Sequence, residues 1–271
     1  MKLRWLALAV ALAATGGCSA AAAADPAPAA DGGAQVPAAA QAQAAAAQPP
    51  DAVTASSTPS VGALFSETGG GHFCTASVVA SPAGDLLITA AHCINGGTAS
   101  GGAYSEDLEF IPGYRDGQAP YGVWKVKQLL VAPQWITGSD PDLDVGFAIV
   151  APNDGRTIQD VVGASQLGTD SGYRYQVRVT GYPDGSNAPI SCVNWTSEES
   201  GTQLQFDCGS FTDGTSGSPW ITNINPRTGT GTIVGIIGGY QQGGDTPAIS
   251  YSSYLGTAVQ TLYDQAVSTA G

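Results

Sequence analysis

A serine between glycines and a histidine at the end of an apolar run are the residues of this chain best suited to covalent chemistry. Ser216 lies in the segment Gly214–Pro219, and His92 follows the run Leu86–Ala91. A serine hydroxyl is a weak nucleophile until a positioned imidazole removes its proton. A rigid apolar strand would hold His92 for that purpose. The pair therefore predicts hydrolysis through an acyl-enzyme.

The choice of base is narrow, because the chain has 2 histidines, His72 and His92. His92 is favoured, since Cys93 could tether the turn that follows it. A purely structural histidine remains the alternative reading of that position. A simple Gly/Ser turn remains the alternative reading of the serine segment.

A carboxylate that could orient the base is Asp144, which directly precedes the apolar run Val145–Ile149. A carboxylate drawn into the interior needs a partner. His92 could be that partner, donating from one ring nitrogen and leaving the other to take the serine proton. Asp140 and Asp142 are rival candidates, better explained as solvated turn residues.

The glycine before the serine predicts a site for developing negative charge. Gly214 permits a turn in which its own N–H and that of Ser216 could point at an oxyanion. Ser218 is the alternative nucleophile by spacing, although Pro219 and the residues after it suggest that it begins a strand.

Short apolar or alternating runs separated by Gly, Asn, Asp and Pro predict an all-β fold. The last segment is different, because Leu255, Val259, Leu262, Tyr263 and Ala266 recur at helical spacing and predict a terminal helix that packs on a barrel. The predicted strands are Val61–Phe65, Thr75–Val79, Leu86–Thr89, Leu108–Pro112, Val123–Val131, Val145–Val150, Gln176–Gly181, Leu204–Cys208, Ser218–Thr222 and Thr232–Ile237.

The first residues follow the plan of an export signal, predicted over 1–24, with a basic start and the apolar core Leu6–Ala14. Cys18 after two glycines also resembles a lipoprotein cleavage box, so a lipid anchor and ordinary cleavage among Ala20–Ala24 are both open. Residues 19–59 are rich in Ala, Pro and Gln and predict a linker or pro-segment. The remaining residues, 60–271, predict one catalytic domain.

Charge and cysteine content narrow the function classes. Acidic residues outnumber basic ones by 22 to 9, which disfavours nucleic acid as a partner. Beyond Cys18, four cysteines can pair in an oxidising compartment. Three pairings are possible, and Cys74–Cys93 with Cys192–Cys208 is favoured because each closes a local loop. A zinc site built from His72, Cys74, His92 and Cys93 is a weaker alternative, since paired cysteines have no thiolates, and no metal or other cofactor is expected.

The order His92, Asp144, Ser216 disfavours the α/β-hydrolase and subtilisin arrangements. Together with His72–Cys74, Ile88–Cys93 and Gly214–Pro219, it resembles the signatures of trypsin/chymotrypsin-like serine proteases, especially secreted bacterial members. The resemblance implies two orthogonal antiparallel β-barrels with His92 as base, Asp144 as its orienting carboxylate and Ser216 as nucleophile.

The same resemblance implies substrate contacts, with departures. Gly238 and Gly239 replace a serine and an aromatic residue in a segment that resembles the substrate-binding strand, and Ile249–Tyr251 resembles the strand that walls the specificity pocket. The pocket base falls near Ser210, with Asp207 and Asp213 close by in sequence. Thr215 replaces an aspartate.

Because Thr215 is neutral, no buried N-terminal ammonium is needed to shape the oxyanion loop, and start positions a few residues either side of Val61 are expected to be equally active. The sequence thus predicts a secreted or lipid-anchored, monomeric serine endopeptidase acting on proteins or peptides. A catalytically silent binding domain of the same fold is the alternative.

Overall fold

The structure is a computed structural model that describes residues 48–66 and 69–270. The predicted export signal, Cys18 and most of the predicted linker lie outside the described residues. The described part begins with a two-residue strand, β1 (Val53–Thr54), and ends with a helix.

The first half of the protein is a closed antiparallel barrel with the strand order β2-β3-β4-β7-β6-β5. Its interior is filled by aliphatic and aromatic side chains, including Leu64, Ile88, Phe110 and Phe147, all fully buried. Closure removes the exposed strand edges, so this half is stabilised without a partner. The strands are β2 (Val61–Ser66), β3 (Cys74–Val78), β4 (Leu86–Thr89), β5 (Leu108–Pro112), β6 (Trp124–Val131) and β7 (Gly146–Val150).

The second half is a sheet of 8 strands. Seven of them follow the order β14-β11-β10-β9-β12-β13-β8, and the eighth, β1, pairs with β10. Its ends approach each other, because Gly238 N–H donates to the Tyr251 carbonyl at 3.0 Å. The strands are β8 (Gln166–Leu167), β9 (Gln176–Gly181), β10 (Ile190–Ser200), β11 (Gln203–Asp207), β12 (Pro219–Thr222), β13 (Thr232–Ile236) and β14 (Ile249–Ser253).

Helices are short except the last. They are α1 (Ala91–Ile94), α2 (Pro133–Gly138), α3 (Ile158–Val162) and α4 (Thr257–Ala270). Helix α4 buries Val259, Leu262 and Ala266, and the Tyr263 ring packs edge-on against Phe147 of the barrel at 5.8 Å. The chain thus returns from the second half to the first. The all-β fold with a terminal helix, as predicted, is confirmed.

Residues 50–55, here called the N-terminal arm, lie within the segment that composition assigned to a linker or pro-segment. The Ala52 N–H donates to the Gly209 carbonyl at 3.0 Å, and the Gly209 N–H donates to the Pro50 carbonyl at 2.8 Å. Strand β1 then pairs with β10. The arm is held by backbone hydrogen bonds. These do not depend on side-chain composition, because every residue except proline carries a main-chain donor and an acceptor.

Candidate active site

His92 is the second residue of α1, which begins two residues after the end of β4. Its neighbour Cys93 is bonded to Cys74 on β3, so the helix is attached to the barrel on both sides of the histidine. The His92 side chain is 15 % exposed. The ring is therefore held firmly and still reaches solvent.

Asp144 is completely buried, two residues before β7. Its Oδ1 accepts the backbone N–H of His92 at 2.9 Å, and its Oδ2 lies 2.7 Å from His92 Nδ1. Oδ2 also accepts the Gly239 N–H at 2.9 Å. A buried carboxylate must be paired and hydrogen-bonded, and three donors from both halves of the molecule satisfy Asp144. With Nδ1–H donating to Asp144, His92 Nε2 is left as the proton acceptor.

The rival aspartates have local roles. Asp140 accepts the Asp142 N–H at 3.0 Å and begins the 3₁₀ turn Pro141–Leu143. Asp142 accepts from Gln203 Nε2 at 2.7 Å. Both are partly exposed, and neither has a hydrogen bond to His92 among the contacts of the described residues.

The loop that carries Ser216 packs against strands β3 and β4. The Thr75 N–H donates to the Ser216 carbonyl at 2.8 Å, and the Gly217 N–H donates to the Ile237 carbonyl at 2.7 Å. A Cβ at Gly217 would lie only 2.1 Å from the Thr75 carbonyl and 2.2 Å from Thr89 Oγ1. Glycine is required at 217 because a larger residue would push the serine away from the barrel.

Ser216 and Ser218 differ in accessibility. Ser216 is partly exposed, and within residues 48–66 and 69–270 the His92 ring is hydrogen-bonded to Asp144 and not to Ser216 Oγ. Ser218 is fully buried, and its Oγ donates to the Thr215 carbonyl at 2.6 Å. Hydrogen bonds between base and nucleophile are often long in a substrate-free enzyme. Of the two serines, Ser216 is the one that substrate can reach.

The turn before Ser216 is fixed by local hydrogen bonds. Gly214 has φ +88°, and its carbonyl accepts from Thr75 Oγ1 at 3.0 Å. Thr215 donates through Oγ1 to the Thr212 carbonyl at 2.6 Å. In the part of the chain that the structure describes, the N–H groups of Gly214 and Ser216 donate to no acceptor. They are thus available to an incoming oxygen.

A cavity of about 250 Å³ opens beside Ser216 and is lined by residues of the second half. Its wall includes the carboxylates Asp213 and Asp245. Burial raises the pKa of Tyr251 on the neighbouring strand β14, and nearby carboxylates, Asp245 among them, add to the increase. The cavity wall and its surroundings therefore carry negatively charged side chains.

The structure places the expected substrate-contact residues differently. Ser210 is exposed with φ +78° and does not line the cavity, whose wall begins at Phe211. Gly238 and Gly239 do not line it either, and their N–H groups bind Tyr251 and Asp144. Asp213, close to Ser210 in sequence, does line the cavity, and most of the other wall residues come from the loop between β13 and β14.

The disulfides Cys74–Cys93 and Cys192–Cys208 are both present. The Sγ atoms of Cys74 and Cys93 and a ring nitrogen of His92 lie within 4.8 Å of one another. The two sulfurs are bonded to each other, however, and cannot act as thiolate ligands. His72 is buried elsewhere, with Nε2 2.8 Å from the Ser186 carbonyl. The zinc alternative therefore lacks its donor set. Among the described residues, no helix is long and apolar enough to cross a membrane.

Neither a family model nor a curated protein matches the sequence. Several solved structures are similar to this chain. The protease Anisep from Arthrobacter nicotinovorans is 27 % identical, with a TM-score of 0.69 over 79 % of this chain and 98 % of its own. The thermostable serine protease AL20 from an extremophilic microorganism is 26 % identical, with a TM-score of 0.68 over 78 % and 98 %.

A Glu endopeptidase is 16 % identical, with a TM-score of 0.64 over 81 % of this chain and 97 % of its own, which shows a shared fold. These neighbours span nearly their whole length and most of this chain. The resemblance inferred from the sequence is confirmed: the chain is similar in fold and in sequence to bacterial trypsin/chymotrypsin-like serine proteases.

Proposed function

We propose that this protein is an exported serine endopeptidase that hydrolyses peptide bonds through an acyl-enzyme. His92 is the general base, Asp144 orients it and Ser216 is the nucleophile. The observation that carries the proposal is the Asp144 carboxylate, which is fully buried and bonded to both the backbone and the ring of His92. A buried carboxylate that orients a partly exposed imidazole is typical of a catalytic site.

In the proposed reaction, Ser216 Oγ forms a bond to the substrate carbonyl carbon while its proton passes to His92 Nε2. The carbonyl oxygen becomes an oxyanion, to which the N–H groups of Gly214 and Ser216 donate. His92 then gives the proton to the leaving amine as the peptide bond breaks. Water, activated by the same imidazole, releases the acid and restores the serine.

The cavity beside Ser216 supports a preference at the residue whose carbonyl is attacked. Asp213 and Asp245 would attract a cationic side chain and repel an acidic one. This expectation differs from the name of the Glu endopeptidase neighbour, whose similarity shows only the fold.

The test is digestion of an unfolded protein of known sequence, with the products identified by mass spectrometry. Internal cuts made by the wild type and abolished in Ser216→Ala would support an endopeptidase. Release of single terminal residues would contradict the endopeptidase claim. A folded wild type that cuts nothing would favour the catalytically silent binding domain.

Export and anchoring are proposed from the sequence, since residues 1–24 lie outside the described part. Fractionation of cells expressing the wild type and Cys18→Ala separates the two forms of export. Membrane-bound wild type with released or unprocessed Cys18→Ala would support lipidation. Wild type released into the medium after cleavage among Ala20–Ala24 would contradict it.

A further inference from the structure

Gln203 on β11 is a buried amide that contacts two loops of the candidate site. Its side chain is 5 % exposed. Oε1 accepts the Tyr240 N–H at 3.0 Å, while Nε2 donates to the Pro141 carbonyl at 3.1 Å and to Asp142 Oδ1 at 2.7 Å. An amide supplies an acceptor and two donors in one group. Gln203 therefore links the turn before β7 to the segment after β13.

One of these segments leads into Asp144, and the other donates a hydrogen bond to it. The turn Pro141–Leu143 leads directly into Asp144, whose own N–H donates at 3.4 Å to the carbonyl that Gln203 also binds. From the other side, Gly239 donates to Asp144 Oδ2 at 2.9 Å and is followed by Tyr240. The loops held by Gln203 are thus the loops that place and bind the carboxylate.

The packing around the amide is close. Gly239 has φ +81°, and a Cβ there would lie 2.4 Å from Gln203 Oε1 and 2.7 Å from the Ser253 nitrogen. Ser253 Oγ donates to the Pro141 carbonyl at 2.9 Å. Because the amide is buried among these groups, its loss would leave the Tyr240 N–H and the Asp142 carboxylate without this partner.

We propose that Gln203 is a positioning residue for the reaction at Ser216. It holds Asp144, and through Asp144 the His92 ring, in the orientation that proton transfer needs, and this role rests on the proposed function. Gln203 does not line the cavity beside Ser216. Its loss should therefore lower kcat and leave KM nearly unchanged.

The variant Gln203→Met tests this, because methionine has a similar length and no hydrogen bonds. The matched control is Gln205→Met, on the same strand, where the amide donates only to Asp207 two residues away, at 2.7 Å. We expect kcat per titrated active site to fall about tenfold in Gln203→Met, with KM within about twofold, as loss of buried hydrogen bonds affecting the transition state would give. Gln205→Met should change neither by more than about twofold.

The variant Gln203→Glu gives a readout that a merely structural role would not move. Its carboxylate would repel Asp142 and lack the donors, whereas its protonated form can donate again. The ratio of its kcat to that of the wild type should therefore rise as the pH is lowered from about 8 to about 6, where a carboxyl beside another carboxyl takes up a proton.

Unchanged kcat in Gln203→Met, an equal loss in Gln205→Met, or a pH-independent ratio in Gln203→Glu would overturn the proposal. If Gln203→Met does not fold, the pH ratio of Gln203→Glu decides. A wild type that cuts no substrate would contradict the proposed function itself, whereas an active wild type with unaffected Gln203 variants would contradict only the role of Gln203.

Discussion

The closed barrel β2–β7 carries His92 and Asp144 on elements that it fixes directly, whereas Ser216 and the cavity lie on loops of the second sheet. In the first half, a disulfide and a buried carboxylate hold the histidine. In the second half, glycines with positive φ at 214 and 217 and backbone hydrogen bonds shape the serine loop. The proposed base is therefore positioned by the barrel core, and the nucleophile by turns that contact it.

This difference suggests a division of roles. Changes to the base and its carboxylate should act on the chemical step, while changes to the arm or to the cavity wall should act on substrate binding. A rigid scaffold with variable loops is the usual way in which one fold accommodates several specificities. The following predictions test that division.

The largest effect is expected for Ser216→Ala, which removes the nucleophile without changing the packing. Turnover of a peptide substrate should fall by about 10⁴-fold or more. Ser218→Ala is the matched control, because the Ser218 hydroxyl only donates to the Thr215 carbonyl. Its stability should fall by about 1 kcal/mol while it keeps most of its activity. Equal losses in the two variants would contradict the assignment of the nucleophile.

Asp144→Asn should lower kcat by about 10⁴-fold, because an amide has only one acceptor oxygen: with that oxygen bound to the His92 backbone N–H, its NH2 group faces Nδ1 and favours the wrong histidine tautomer. Asp140→Asn is the comparison, since Asp140 only receives the Asp142 N–H. We expect it to change kcat by less than about threefold. Steady-state kinetics on active-site-titrated enzyme measures both. A small effect of Asp144→Asn would contradict the role of Asp144 in orienting His92.

The N-terminal arm provides the next test. Gly209, which the arm binds through both main-chain groups, is two residues before Phe211 in the cavity wall. Mature protein starting at Val61 should lose about 1–3 kcal/mol of stability and bind substrate with a KM raised several-fold, relative to protein starting at Gln48.

Acetylation of the terminal amine is the control for the arm. Because local hydrogen bonds from Thr215 already hold the serine loop, a blocked amine should leave kcat and KM unchanged. Loss of activity on acetylation of protein starting at Gln48 would mean that a terminal ammonium does shape the site. Identical KM values for the two start positions would mean that the arm does not support the cavity.

A further effect concerns the charge of the cavity. The double variant Asp213→Asn with Asp245→Asn should lower the ratio of kcat/KM for a lysine substrate over a glutamate substrate by about tenfold, since each partly solvated charge contributes up to about 1 kcal/mol. The loss should appear in KM. A ratio that does not change would show that these carboxylates face solvent without contacting the substrate.

The sequence predicted the strands of the first half well, and the reason is burial. Leu86–Thr89 and Leu108–Pro112 have the predicted bounds, because apolar side chains at these positions must enter a core. Strand β10 (Ile190–Ser200) was missed: its last half is polar and exposed, and pairing on both sides stabilises it through the backbone. Apolar periodicity does not report such pairing.

The same limit applies to the candidate site. The flanking residues of His92, Asp144 and Ser216 pointed to these three, and the structure places the first two in contact. Ser210, predicted near the base of the specificity pocket, does not line this cavity, whose wall comes mostly from the loop between β13 and β14. Gln203 carried no sequence signal at all. Its importance depends on two loops that meet only in the folded chain.

The most direct test of the central claim is to locate the covalent bond that the site can form. Wild-type protein would be treated with a serine-directed phosphonofluoridate, digested and analysed by mass spectrometry, beside Ser216→Ala and His92→Ala. The account predicts one modified peptide, carrying the adduct on Ser216, with no adduct in Ser216→Ala and labelling slowed by several powers of ten in His92→Ala. An adduct on Ser218, or labelling that does not depend on His92, would contradict it.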